Sequence, residues 1–138
     1  MTYATKADIE TLWGADFLGD LLPEDVDGDA AVETALQFAA SEIDAHLSAR
    51  YELPLAMPPA ILVAPASNIA VYVLANRHSS LTTTIEERYE QSVELLKRIA
   101  EGKAGLGAAE PAISVDGASS DSGAAFFADP RDWRRRWP

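Results

Sequence analysis

The feature that most constrains the fold is an apolar stripe at helical spacing in the first half of the chain. Its members recur at steps of three and four residues: Val32, Leu36, Ala39, Ile43, Leu47 and Tyr51. Acidic and amide side chains take the positions between them. A period near 3.6 residues gathers the apolar side chains on one helical face, which must be covered by neighbouring elements. The stripe therefore predicts a long helix over residues 32–51 that packs inside a helical bundle.

Two elements are predicted before this helix. The pair Thr5-x-x-Asp8 is a capping box, so a first helix begins at Thr5 and ends at Gly14. A short helical turn follows in residues 17–22, before Pro23.

Two further helices follow it. Residues 60–75 are apolar apart from Ser67 and Asn68, which indicates the buried centre of a bundle, and Pro65 should kink this helix or mark its start. Sixteen residues interrupted by proline and asparagine are too short for a membrane span. The last helix begins at the capping box Thr84-x-x-Glu87 and is stopped by Gly102.

The composition changes after Gly102, and this change defines three regions. Residues 1–102 form the predicted bundle. Residues 103–125 are rich in Gly, Ala and Ser and form either a flexible linker or a hairpin around Ile113-Ser114-Val115. Residues 126–138 form an aromatic and arginine-rich tail. The fold class is thus all-α: four main helices, a short extra helical turn and an extended C-terminal arm.

The tail is the strongest candidate for a binding site. Arg and Trp are the residues most enriched at binding hot spots, because they combine large contact area with directed polar groups. We predict that the tail docks on another molecule, although folding back onto its own bundle remains an alternative. The formal net charge of −11 disfavours binding to nucleic acid. The proposed docking residues are Phe126, Phe127, Arg131, Trp133, Arg134, Arg135, Arg136 and Trp137.

No pattern in the chain predicts catalysis, a metal or a cofactor. The absence of cysteine excludes disulfides, thiolate metal sites and cysteine nucleophiles. A calcium loop starting at Asp25 would need Gly at position 30 and Glu at position 36, but the chain has Ala30 and Leu36. Residues 25–29 are therefore interpreted as a turn in which Asp27 or Asp29 caps the next helix. The glycine-rich segment 101–107 lacks phosphate-loop spacing and is interpreted as a helix stop and flexible joint.

The order of motifs resembles the Mu-type phage family of small virion proteins, once filed as a domain of unknown function. The most specific segment is Arg50-Tyr51-Glu52-Leu53-Pro54-Leu55, followed by Gly102-Lys103-Ala104-Gly105-Leu106-Gly107. The resemblance also covers Tyr3–Ile9, Ala39–Ala49, Asn68–Leu74 and Arg88–Glu90.

The resemblance implies a structural head–tail connector, or adaptor, without enzymatic activity. Connectors of this type form a ring beneath the portal, commonly twelve-fold, and meet the portal protein on one side and a tail-side completion protein on the other. Packaged DNA would pass through the ring without sequence-specific binding, and the tail would reach the portal. The implied location is the head–tail junction of the virion, and the host cytoplasm during assembly. A small cytoplasmic protein-binding module is the alternative function, and a hydrolase is a remote one.

Overall fold

A computed structural model describes residues 2–107 and residue 110. This part of the chain is helical and contains no strand, which confirms the all-α prediction. Four helices of eight residues or more and one short helix follow in order: α1 (Lys6–Trp13), α2 (Phe17–Leu21), α3 (Gly28–Leu47), α4 (Val63–Arg77) and α5 (Thr83–Ala100), with a 3-10 turn at Ala60–Leu62 before α4. The predicted tail and most of the predicted linker lie outside the described residues.

The helix starts follow the capping side chains. Thr5 and Asp8 form the expected reciprocal capping box at α1. Asp27 accepts a hydrogen bond from the Ala30 amide at the start of α3, so the interpretation of this acidic turn as a helix cap is confirmed. The prediction for α5 was wrong by two residues, because its cap is Thr82, whose hydroxyl accepts from the Ile85 amide.

The apolar stripe of α3 lies in the core, as predicted. Its members from Val32 to Leu47 are all buried. The predicted extension to Tyr51 was wrong, since the helix ends at Leu47 and residues 48–50 form a turn. That turn carries the half-buried Tyr51 out of the helix and towards Glu110.

Helix α4 is the centre of the bundle and packs against α1, α3 and α5. Pro65 is its third residue, so it marks the start of the helix and causes no kink, because the first amides of a helix have no acceptor within it. The stretch Ala60–Arg77 has a mean hydropathy of 1.3, and by its length and hydropathy alone it could span a membrane. Half of this stretch is buried in the protein, which is what the core helix of a bundle shows.

A polar network crosses the core and ties three helices together. The Trp13 indole donates to Asn68 Oδ1 at 3.1 Å, and Asn68 Nδ2 donates to Ser92 Oγ at 3.2 Å. The Arg88 guanidinium lies 4.2 Å from the centre of the Trp13 ring. Asn68 is a polar residue within the apolar run of α4, and its side chain joins α4 to α1 and α5.

Candidate assembly interface

The two sequence segments that carry the family resemblance meet in space at one end of the bundle. Arg50 and Tyr51 follow α3, and residues 102–110 follow α5. Arg50 Nη1 donates to the Ala104 carbonyl at 3.3 Å and to the Tyr51 hydroxyl at 3.3 Å. The Arg50 Nη2 atom lies 3.9 Å from Glu110 Oε1. Segments more than 50 positions apart are thus joined by their polar side chains.

Glu110 is the centre of this junction. The Tyr51 hydroxyl lies 2.7 Å from Glu110 Oε2 and 2.9 Å from Oε1 and can donate to either, while the Leu106 amide donates to Oε2 at 2.8 Å. These donors, the Tyr51 hydroxyl first, hold the pKa of the Glu110 carboxyl below its ordinary value. Burial, followed by the hydrogen bond to Glu110, raises the pKa of Tyr51. A neutral phenol and an ionised carboxylate are therefore the stable combination at neutral pH.

The glycine-rich segment after α5 is attached to the bundle. Gly102 has a φ of +83° and ends the helix as predicted, because the Lys103 amide bonds to the Arg98 carbonyl at 2.8 Å and the Gly102 amide to the Ile99 carbonyl at 3.1 Å. Leu106 is then inserted into the core and is 1 % exposed. The sequence favoured a flexible joint here, whereas Leu106 and Glu110 fix residues 103–107 to the body. The junction therefore holds residues 103–107 and Glu110 at this end of the bundle.

An apolar loop connects α3 to α4 at the same end of the molecule. We use this name for residues 53–62, which contain no polar side chain. Only Leu55, Pro59 and Leu62 are buried, whereas Met57 is 53 % exposed and Ile61 is 40 % exposed. Surface loops normally carry polar residues, and a contiguous exposed apolar segment marks an interaction site.

A second exposed apolar surface lies along α3 and the last turns of α4. Phe38 is 54 % exposed and lies outside the buried stripe of α3. With Tyr72, Val73, Asn76 and Arg77 it lines a surface groove of about 410 Å³, which we call the Phe38 groove. Beneath it Tyr72 stacks on Tyr89 at 3.9 Å. The ring of Tyr72 is therefore packed against Tyr89, whereas the ring of Phe38 is exposed to solvent.

The tail residues named above, from Phe126 to Trp137, lie outside the described residues, and their docking stays a prediction.

Charge is distributed unequally between residues 1–110 and the C-terminal residues 131–138. Residues 1–110 contain 18 acidic and 7 basic residues, a net of −11. Residues 131–138 contain four arginines and one aspartate, a net of +3. Within residues 2–107 and 110, no three carboxylate or imidazole groups come together in a way that could hold a metal ion.

Comparison with known proteins gives the junction its context. The family described as "Bacteriophage Mu, Gp36" matches residues 3–124. The chain belongs to this family. The matched range includes all of the bundle and the junction around Glu110, and it confirms the resemblance recognised from the sequence.

Two members of the Gp36 family illustrate the similarity. The Mu-like prophage FluMu protein gp36 of Haemophilus influenzae is 33 % identical over 107 residues, which cover 78 % of this chain and 72 % of that protein. Gene product J of Escherichia phage Mu is 32 % identical over 127 residues, which cover 89 % of this chain and 85 % of that protein.

Three features of the Gp36 fold described here were missed by the interpretation of the sequence. Glu110 was not recognised because its side-chain partners, Arg50 and Tyr51, are about 60 positions away in the chain. Phe38 could have been found, since it is a large apolar residue outside the stripe of its own helix. The apolar loop also had a signal, because ten consecutive residues without a polar side chain, three of them prolines, fit neither an α-helix nor a solvated loop.

Proposed function

We propose that this chain is a structural protein of a tailed phage or prophage, and more specifically its head–tail connector. Membership of the Gp36 family supports the first part, since the similar proteins are named as products of phage Mu and of a Mu-like prophage. The second part assigns it to a ring that joins the portal protein to a tail-side completion protein. Twelve copies would match the symmetry common for portals, and the site would be the head–tail junction.

The observation that carries the connector function is the junction at Glu110. A connector must present its docking segment in a defined direction to a neighbouring component. Arg50, Tyr51 and the buried Leu106 hold the root of the C-terminal segment on the rigid bundle. Fifteen residues separate Glu110 from the start of the tail at Phe126, and an extended chain of this length reaches about 50 Å. In this proposal the arginine and tryptophan cluster uses that reach to contact the portal.

The charge of the bundle supports the passage of DNA. Residues 1–52 contain twelve acids and only Lys6 and Arg50 as bases. A wall rich in carboxylates repels the phosphate backbone, so DNA can slide without binding to particular sequences. In this proposal the first three helices provide much of the negative surface of the channel.

Cryo-electron microscopy of assembled particles tests the connector function. We expect a ring of this protein below the portal, and its density in the capsid shell or in the tail fibres would contradict the proposal. A variant lacking residues 126–138 tests the role of the tail. It should keep the unfolding midpoint of the bundle but fail to co-purify with the portal protein. A matched variant that lacks only residues 117–122 should still bind, because it shortens the connection but keeps the tail.

A further inference from the structure

We propose that the apolar loop of one copy inserts into the Phe38 groove of a second copy of the same chain. This inference extends the proposed function. It rests on the connector function only for the expectation that the copies close into a ring, whereas the contact itself is inferred from the two exposed apolar surfaces of the bundle.

One of the two surfaces is a groove and the other is an exposed apolar loop. The groove is concave and lined on one side by Phe38 and on the other by Tyr72 and Val73. The loop is a connection at the surface, with Met57 and Ile61 exposed. The unbranched Met side chain adapts to irregular apolar cavities, which suits Met57 to a groove of about 410 Å³.

The positions of the two surfaces favour a head-to-tail contact. The loop ends at the start of α4, whereas the groove lies along the last turns of α4. Fifteen helical residues at about 1.5 Å each separate the ends of this helix by about 22 Å. Because the two surfaces are different and far apart, each copy keeps one surface free after the first contact, and repetition generates a ring or a filament.

Charge at the edges agrees with the same pairing. Arg77 lies at the edge of the groove, and Glu52 immediately precedes the loop. Both side chains are exposed, and neither takes part in an ion pair within residues 2–107 and 110. Docking of the loop in the groove brings the cation of one copy towards the anion of the next. The chain's own tail is a poorer occupant of the groove, because its four arginines would meet Arg77.

Cysteine cross-linking tests the pairing directly, because the full chain has no cysteine of its own. We expect Met57→Cys and Phe38→Cys proteins to form a disulfide-linked dimer when they are mixed under mild oxidation. Neither variant should cross-link efficiently with itself. Gln91→Cys on the exposed face of α5 is the control, and its mixture with Met57→Cys should give only background. Cross-linking of Phe38→Cys with itself as strong as in the mixture would overturn the head-to-tail contact.

Sedimentation of the full chain measures the same contact without modification. Between about 1 µM and about 1 mM, a range that covers weak to moderate affinities, the wild type should self-associate. Phe38→Ser should raise the Kd at least tenfold, whereas the neighbouring Gln37→Ser should leave it unchanged. Arg77→Glu should raise the Kd about two- to fivefold, and Glu52→Arg in the same chain should restore it.

A wild-type protein that stays monomeric up to about 1 mM would overturn the proposal. Binding to neutral phosphatidylcholine vesicles without self-association would do the same and would make the loop a membrane contact. The test of the subunit contact and the test of the connector function can fail independently of each other. Self-association through the loop and groove in a protein absent from the head–tail junction would reject the connector alone. A ring at the junction without the Met57–Phe38 cross-link would reject the subunit contact alone.

Discussion

Tyrosine hydroxyls donate hydrogen bonds to carboxylates in this acidic chain, in which cations are scarce. Tyr3 donates to Asp44, Tyr51 to Glu110 and Tyr89 to Glu42, and each pair joins residues more than 40 positions apart. Burial, followed by the bonded carboxylate, raises the pKa of Tyr89 to about 12. A phenol that stays neutral can satisfy a carboxylate without adding a charge. At the residue level, three of the four tyrosines thus hold the chain together by the same polar contact.

Glu110→Gln tests this contact at the junction. We expect the free energy of unfolding at pH 7 to fall by about 1 kcal/mol, because the amide accepts weaker hydrogen bonds from Tyr51 and Leu106. The pKa of Glu110 is lowered by folding, so its contribution is complete above the ordinary value of 4.5 and is lost as the pH falls through the lowered value. Urea unfolding of both proteins should therefore converge at acidic pH.

Glu101→Gln is the matched control for the junction. Among the described residues its carboxylate pairs only with the exposed Lys103, at 3.0 Å, and the change should stay within about 0.5 kcal/mol. Equal losses for the two variants would show that Glu110 has no special role in holding the segment after α5.

Asn68→Ala tests the polar network in the core. The substitution leaves the half-buried Trp13 indole N–H without its acceptor and Ser92 without a donor, so the free energy of unfolding should fall by about 1 kcal/mol. Tryptophan fluorescence during urea unfolding measures the change. Asn76→Ala on the exposed side of the same helix should shift it by no more than about 0.5 kcal/mol. A similar small shift for Asn68→Ala would mean that the network contributes little.

At the level of the elements, the identity of the helices and the starts of α1 and α3 could be predicted from the sequence, whereas the end of α3 and the start of α5 could not. The stripe of α3 and the apolar character of α4 follow from periodicity, and both helices lie where that pattern places them. Helix α3 ends at Leu47, before Tyr51, and Tyr51 donates instead to Glu110, a partner that no local pattern contains. The burial of Leu106 was equally invisible, because glycines on both sides predict mobility when the core that receives the side chain is not known.

The start of α5 gives a test at this level. Thr84-x-x-Glu87 satisfies the capping-box pattern, but Thr82 is the residue with extended backbone, at φ −123° and ψ 163°, and it caps the Ile85 amide. Thr82→Ala should therefore lower the free energy of unfolding by about 1 kcal/mol, as the loss of a helix cap does. Thr84→Ala, which lies inside the helix, should cost no more than about 0.5 kcal/mol or stabilise slightly. Reversed sizes in a thermal unfolding experiment would place the cap at Thr84.

At the level of the whole molecule, the negative charge of the body opposes assembly, whereas its two separate apolar surfaces favour assembly. A net charge of −11 keeps copies apart in solution. The apolar loop and the Phe38 groove favour contact between copies. Assembly then depends on whatever reduces the repulsion, such as salt or a platform that holds several copies together. Self-association of the free protein is therefore weakened by its charge, and a platform that holds several copies together strengthens it.

The dependence of self-association on salt concentration shows which region of the chain drives it: the apolar loop with the Phe38 groove, or the arginine-rich tail. If the apolar loop and groove drive association, raising NaCl from about 0.05 M to about 0.3 M should strengthen it, because screening weakens the repulsion between acidic bodies. If the arginine-rich tail of one copy binds the acidic body of another, the same salt should weaken association. Sedimentation of the full chain at both salt concentrations measures the sign of the change. The loop contact requires the Kd to fall with salt, and Phe38→Ser should abolish that fall, since the variant lacks the apolar surface that the screened copies would otherwise join.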